Sequence, residues 1–76
     1  MEELYKILEE LQPEVDFKTA TNLIDGHLLT SLSIISLIAE LEDAFDITIP
    51  AVEIVPANFN SADAIWTLVQ RLQEED

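Results

Sequence analysis

The sixteen residues GHLLTSLSIISLIAEL, Gly26 to Leu41, place three serines, Ser31, Ser33 and Ser36, inside an otherwise very apolar run. Ile35, Ile38, Leu41 and Phe45 recur at helical spacing, and Ile34 and Leu37 widen the stripe. That pattern predicts a helix over Leu32 to Phe45 with the stripe facing a core. Thr30 or Ser31 can cap the unpaired amides at its start. A hydroxyl at the mouth of so apolar a helix needs a reason, and the surrounding chain supplies the context for one.

Upstream, Leu4, Ile7, Leu8 and Leu11 repeat at the same spacing, with Glu3, Glu9 and Glu10 on the other side. They predict a first helix over residues 2–12. Pro13 ends it, because proline cannot continue the hydrogen-bond ladder and disfavours helix at Gln12. The loop from Pro13 to Thr30 carries Val15, Phe17, Leu23, Ile24, Leu28 and Leu29. So many apolar groups are expected to fold over the core rather than stand in water. Asp25-Gly26 marks a turn in this loop, since glycine reaches positive φ at little steric cost. No alternating strand pattern flanks it, so a hairpin is disfavoured.

Downstream, Asp46 and Pro50 bracket an exit through Ile47 and Ile49. Pro50 suits the first position of a short third helix over Ala51 to Val55, which Pro56 then ends. Asn60 or Ser61 is placed to cap a last helix, with Asp63 in its first turn. Ala62, Ile65, Val69 and Leu72 face inward there, with Leu68 beside them. That helix is expected to fray at Glu74 to Asp76, where the dipole disfavours negative charge. The predicted fold is all-α: a single domain over residues 1–76, built as a small bundle of three longer helices and one short one.

Sixteen acids face three bases, Lys6, Lys18 and Arg71, for a formal net charge of −13. Phosphate affinity comes from lysine and arginine, so nucleic-acid binding is excluded, and anionic membranes repel such a chain. Partners with basic surfaces are expected. The 49% hydrophobic content argues against disorder. No apolar run approaches the roughly 20 residues of a membrane span. The acidic N-terminus is unlike a signal peptide, and the absence of cysteine removes disulfides and thiolate chemistry. A cytoplasmic monomer is the expectation.

Taken together, Leu28-Leu29-Thr30-Ser31-Leu32, then Leu41-Glu42-Asp43-Ala44-Phe45-Asp46-Ile47-Thr48-Ile49-Pro50, resemble the acyl carrier protein family, with its peptidyl and D-alanyl carrier relatives. Phe45 follows Ser31 by fourteen residues, the usual family spacing. The resemblance covers nearly the whole chain. It implies that Ser31 carries covalent 4'-phosphopantetheine, attached from coenzyme A by a phosphopantetheinyl transferase. The terminal thiol then holds an acyl or aminoacyl cargo as a thioester, delivered by a cargo-loading ligase or adenylating enzyme and passed to downstream acyl-transfer enzymes. The carrier itself is a substrate of these enzymes and not a catalyst. A phosphodiester on Ser31 suits the helix start, where free amides and the dipole favour an anion. Thr30, Leu32, Ile35, Ala39, Glu42 and Asp43 are the expected partner interface.

Two departures from the family pattern stand out. The residue before the serine is usually an aspartate, which helps position the metal ion in the transferase complex; here it is Thr30. Helix two also lacks early acids, carrying Ser33 and Ser36 there and its acids at Glu40, Glu42 and Asp43. The run Asn58-Phe59-Asn60-Ser61 is similar to stand-alone carriers of amino-acid-activating systems. The alternative function is an unmodified acidic helical domain that docks onto basic proteins. Asp25, His27 and Ser31 crowd within seven residues, which does not suit a hydrolase triad, and Asp25 with His27 supplies too few ligands for a metal. Trp66 reads as a cover for the core edge. The apolar stripe of helix two can be plain core or can line space for a tethered chain; the branched Ile34, Ile35, Ile38, Ile65 and Val69 favour tight packing and a short or polar cargo such as an amino acid.

The charge generates a first prediction. Self-repulsion among sixteen acids weakens the compact state. Raising ionic strength shortens the Debye length from about 30 Å at 0.01 M to about 8 Å at 0.15 M. The melting temperature is expected to rise across that range, and further with millimolar magnesium or calcium; a flat or falling series refutes repulsion as the limit on stability.

Overall fold

The computed structural model describes residues 2–26 and 28–75. Its elements are α1 (Glu2–Leu11), α2 (Ser31–Phe45), a 3₁₀ turn (Ala51–Glu53), α3 (Pro56–Phe59) and α4 (Ala62–Glu75). No strand occurs among the described residues, and the all-α bundle of three longer helices and one short one is what forms.

Each long helix buries one face. Leu4, Ile7 and Leu8 of α1, Leu37 and Leu41 of α2, and Ala62, Ile65, Leu68, Val69 and Leu72 of α4 make the centre of the core. The irregular segments complete it. Phe17, Leu23 and Leu29 plug in from the long loop, and Ile47 and Ile49 from the link after α2. Leu28 is the loop's exception and stays exposed. Trp66 is half-buried and meets Phe45 edge-on, ring centres 5.8 Å apart, as a cover for the core edge should.

Several local expectations are corrected. Helix two starts one residue earlier, at Ser31, with Thr30 as the cap. Ile35 is 64% exposed and leaves the core stripe; Leu37 and Leu41 are its buried members, with Ile34, Ile38 and Phe45 partly buried. The helix therefore sits rotated from the stripe that its spacing alone picks out. The short helix is displaced as well. Ala51–Glu53 makes only a 3₁₀ turn behind Pro50, and Pro56 opens α3 instead of ending a helix. A proline at the first helical position loses no hydrogen bond, so Pro56 starts a helix as readily as it stops one. Gly26 does lie in a turn, but not at positive φ. What excludes a side chain there is space: a Cβ would lie 2.6 Å from Asn22 Nδ2 and 2.7 Å from Asn22 O. Fraying does not begin at Glu74, because α4 continues to Glu75 with Leu72 buried in its last turns; Asp76 lies outside the described residues.

The two candidate caps of α4 divide their roles. Ser61 Oγ accepts from Ala64 N–H at 3.0 Å and is the cap. Asn60 instead reaches back to the long loop. Its Oδ1 accepts from Ile24 N–H at 2.9 Å and Asp25 N–H at 3.0 Å. Its Nδ2 donates to Asp25 Oδ2 at 3.1 Å, and its carbonyl accepts from Leu23 N–H at 2.8 Å. A second polar tie joins the 3₁₀ turn to α4, where Arg71 forks onto Glu53, with Nη1 to Oε2 at 2.7 Å and Nη2 to Oε1 at 3.0 Å. Those hydrogen bonds hold the Glu53 carboxyl below its ordinary value of 4.5.

Removing the Asn60 side chain leaves two backbone N–H groups without their acceptor. Asn60→Ala is expected to lower unfolding free energy by about 1 kcal/mol, mostly through the part-buried Ile24 amide, since the exposed Asp25 amide can turn to water. Asn60→Asp keeps the acceptor but brings a carboxylate against Asp25, and falls between the two. Chemical denaturation checks both; an Asn60→Ala variant as stable as the parent refutes the clamp.

Candidate functional site

Thr30 adopts extended backbone, φ −89° and ψ 170°, and its Oγ1 accepts from Ser33 N–H at 3.1 Å, the geometry of an N-cap. The Thr30 hydroxyl also donates to Ser33 Oγ at 3.1 Å, and Gln12 Nε2 donates to the same oxygen at 2.9 Å. This relay joins the end of α1 to the start of α2. Ser33 is thereby half-buried and committed to structure, while Ser31, first residue of α2, is exposed. Among the described residues, no hydrogen bond engages the Ser31 hydroxyl.

The electrostatics at this point differ from those of the whole chain. Ile34 N–H opens the helical ladder by donating to Thr30 O at 2.9 Å, and Ser33 N–H is taken by the cap. The N–H groups of Ser31 and Leu32 have no partner among the described residues. No acid lies in the first turn of α2. An anionic group on the Ser31 oxygen meets free amides and the positive end of a fifteen-residue helix, with no carboxylate in the same turn to oppose it.

The surroundings are apolar. Leu28, Leu32 at 78% and Ile35 at 64% stay exposed on one side, and Val52 at 82%, Ile54 and Val55 on the segment before α3. Ile24, Ile34, Ile54, Val55, Pro56 and Phe59 line a shallow cleft of about 100 Å³. Ile34 stands one turn along α2 from Ser31, on the same side of the helix. Further along, Ala39 and Asp43 are exposed, whereas Glu42 is half-buried. Glu42 Oε2 accepts from Ile49 N–H at 2.8 Å, and its carbonyl accepts from Asp46 N–H, with Asp46 closing the helix at φ 53°. So the expected interface residues Thr30, Leu32, Ile35, Ala39 and Asp43 share the accessible surface of α2 with Ser31, while Glu42 is occupied in holding the chain after the helix.

The sequence reading missed the cleft. Its signal was available in Val52, Ile54 and Val55, three large apolar residues between two prolines, a stretch too short to bury them. The Gln12–Ser33 bond carries no such signal, since it joins residues far apart in the chain. No group of three or more His, Cys, Asp or Glu among the described residues is arranged to hold a metal. Asp25 is taken up with Asn60, and His27 lies outside the described residues.

Ser31 is thus an exposed, unengaged serine at the start of a helix, with no acid in the same turn. The family model for the phosphopantetheine attachment site matches residues 3–69, and the chain belongs to that family of phosphopantetheine-binding carrier proteins. It is 32% identical over 77 residues to a D-alanyl carrier protein of Lactococcus lactis subsp. lactis (strain IL1403), covering 99% of this chain and 98% of that one. It is 38% identical to the D-alanyl carrier protein of Streptococcus mutans over 64 residues, 83% of this chain and 81% of the relative. Aminoacyl carrier protein 1 of Bradyrhizobium diazoefficiens is 36% identical over 63 residues, 83% of this chain and 69% of that protein. The cofactor of the family is covalent 4'-phosphopantetheine, and the chemistry at the start of α2 fits its phosphodiester. A carrier role of this kind requires partner enzymes such as transferases and ligases. No helix among the described residues is long and apolar enough to cross a membrane.

Thr30 generates the prediction here. Thr30→Ala removes the cap and half of the relay to Ser33, and is expected to lower stability by about 1 kcal/mol. Thr30→Asp keeps a capping oxygen and places a negative charge at the helix start, and is expected to match or exceed the parent. Melts of the two variants in parallel check this; equal losses in both refute the capping role.

Proposed function

We propose that Ser31 is the attachment residue and that the chain carries an amino acid, held as a thioester on the terminal thiol that the arm supplies. Among the three serines of the opening stretch, Ser33 is engaged by Gln12 and Thr30, and Ser36 lies beyond the first turn, away from the free amides. The single observation that carries the reading is the exposed, unengaged Ser31 at the first position of α2. The chain's own residues then have separate tasks. The amides of Ser31 and Leu32 face the phosphodiester, Leu32, Ile35 and Ala39 offer partners an apolar contact, and Thr30 and Asp43 border it.

The amino acid comes from the relatives, whose names say that they carry D-alanine or an aminoacyl group. A cleft of only about 100 Å³ is in keeping with a small cargo. The loading partner is then an adenylating ligase, and downstream enzymes dock through basic surfaces that complement a chain of net charge −13. The protein works in this reading as a cytoplasmic monomer of one carrier domain, a substrate of its partners and not itself a catalyst. The family match favours this over an unmodified acidic docking domain.

The test is intact mass after incubation with coenzyme A and a promiscuous phosphopantetheinyl transferase. One phosphopantetheine is expected on the parent and none on Ser31→Ala. Thr30→Asp, which restores the family's usual acid beside the serine, is expected to be modified faster. An arm mapped to Ser33 or Ser36 overturns the choice of Ser31, and no arm at all returns the chain to the unmodified reading.

A further inference from the structure

The segment from Ala51 to Phe59 supplies one wall of the cleft through Ile54, Val55, Pro56 and Phe59, and Phe59 anchors its end in the core. The 3₁₀ turn has three residues and α3 four, far below the length at which a helix stands alone. Its backbone bonds are local: Glu53 N–H to Pro50 O, Ile54 N–H to Ala51 O, Asn58 N–H to Val55 O. No residue of the 3₁₀ turn is buried, and only Phe59 of α3 is. Val52, Ile54 and Val55 therefore have no packing of their own sufficient to fix where they point.

Glu53 supplies a tie. Arg71, in the C-terminal half of α4, holds both of its carboxylate oxygens, at 2.7 and 3.0 Å. Asn58 Nδ2 donates to Glu53 O at 2.8 Å and to Glu53 Oε1 at 3.2 Å, which links the 3₁₀ turn to α3 through the same side chain. A two-pronged guanidinium–carboxylate contact restrains rotation as well as distance, which a single point charge does not. The pair thus connects the core-packed α4 to the 3₁₀ turn, none of whose residues is buried.

We infer that Glu53 and Arg71 are positioning residues for the carrier reaction: their fork, braced by Asn58, holds Ile54 and Val55 across the cleft from Ile34 of α2, so that partner enzymes meet a preformed apolar surface one turn from Ser31. The inference rests on the carrier reading above. Neither residue contacts the attachment site. Without the fork the segment samples several placements, and apparent affinity for a partner falls by the fraction that is competent to bind. The effect belongs to KM and leaves kcat alone.

The test compares the parent with Glu53→Gln, Arg71→Lys and the reversed pair Glu53→Arg with Arg71→Glu. In the two single variants, amide hydrogen exchange at Ile54 and Asn58 is expected to quicken about tenfold, with Leu41 and Val69 unchanged, because only local opening is affected. With coenzyme A and the promiscuous transferase, KM for the carrier is expected to rise about threefold at constant kcat, the fractional-population effect. The reversed pair regains the ion pair but not the acceptor for Asn58 Nδ2, and is expected to restore both in part. Arg71→Lys keeps the charge and the fold but not the fork, so a parental KM in that variant overturns the inference. Unchanged exchange at Ile54 and Asn58, or faster exchange with an unchanged KM, overturns it equally. A parent that accepts no arm refutes the carrier reading itself, a result separate from the exchange data that decide the tie.

Discussion

The candidate site depends on a hydrogen-bonded clamp made by one residue, through its main chain and its amide side chain together. Asn60 sits between α3 and α4 and takes three successive loop residues, Leu23, Ile24 and Asp25, through its carbonyl, its Oδ1 and its Nδ2. The loop has no ladder of its own to satisfy these groups, and unpaired backbone donors beside a core are unfavourable. Only a side chain that both accepts and donates can serve, which an amide does and an ionised carboxylate does not. With Leu23 held, Leu29 reaches the core, and Thr30 and Ser31 are delivered to the start of α2. The serine's position is thus set from the far end of the chain.

Charge acts on two scales here. Over the whole molecule, −13 repels anions and attracts basic partners. Within the first turn of α2 the helix dipole opposes that charge, because acids are absent there and the first two amides have no acceptor among the described residues. An anionic arm can therefore be favoured locally on a strongly acidic protein. The late acids of α2 do not share one role: Asp43 faces solvent, and Glu42 bonds the Ile49 amide and secures the entry to the segment that ends in α3.

Periodicity sufficed for the long helices, because burying one face of each is what gives them stability, and that face is written at fixed spacing. It failed where two stripes overlapped: Ile35 fits the spacing of the core face but stands in solvent, since the angle at which α2 lies on α1 decides which residues bury. Pro56 was ambiguous because proline is tolerated at a helix start and forbidden in its interior. Asn60 and Ser61 were equivalent as caps until the loop came into contact with one of them. At Gly26 a local rule about φ gave the right residue for the wrong reason, since the constraint is the nearness of Asn22. The place of Ser31 at an exposed helix start followed from the pattern of one turn, whereas the Glu53–Arg71 tie and the cleft exist only once segments distant in sequence meet.

The uneven placement of apolar surface makes this chain an amphiphile on the scale of the whole molecule. The exposed leucines, isoleucines and valines gather on the stretches that border the cleft, while most carboxylates lie exposed elsewhere. Two copies that approach through their greasy faces also bring two like-charged bodies together, and at low salt the long-range repulsion prevails over the short-range attraction. The acids that burden the fold are in this sense its protection against clumping. They sort encounters by sign: copies of the chain are turned away before their apolar faces touch, and a positively charged visitor is drawn in.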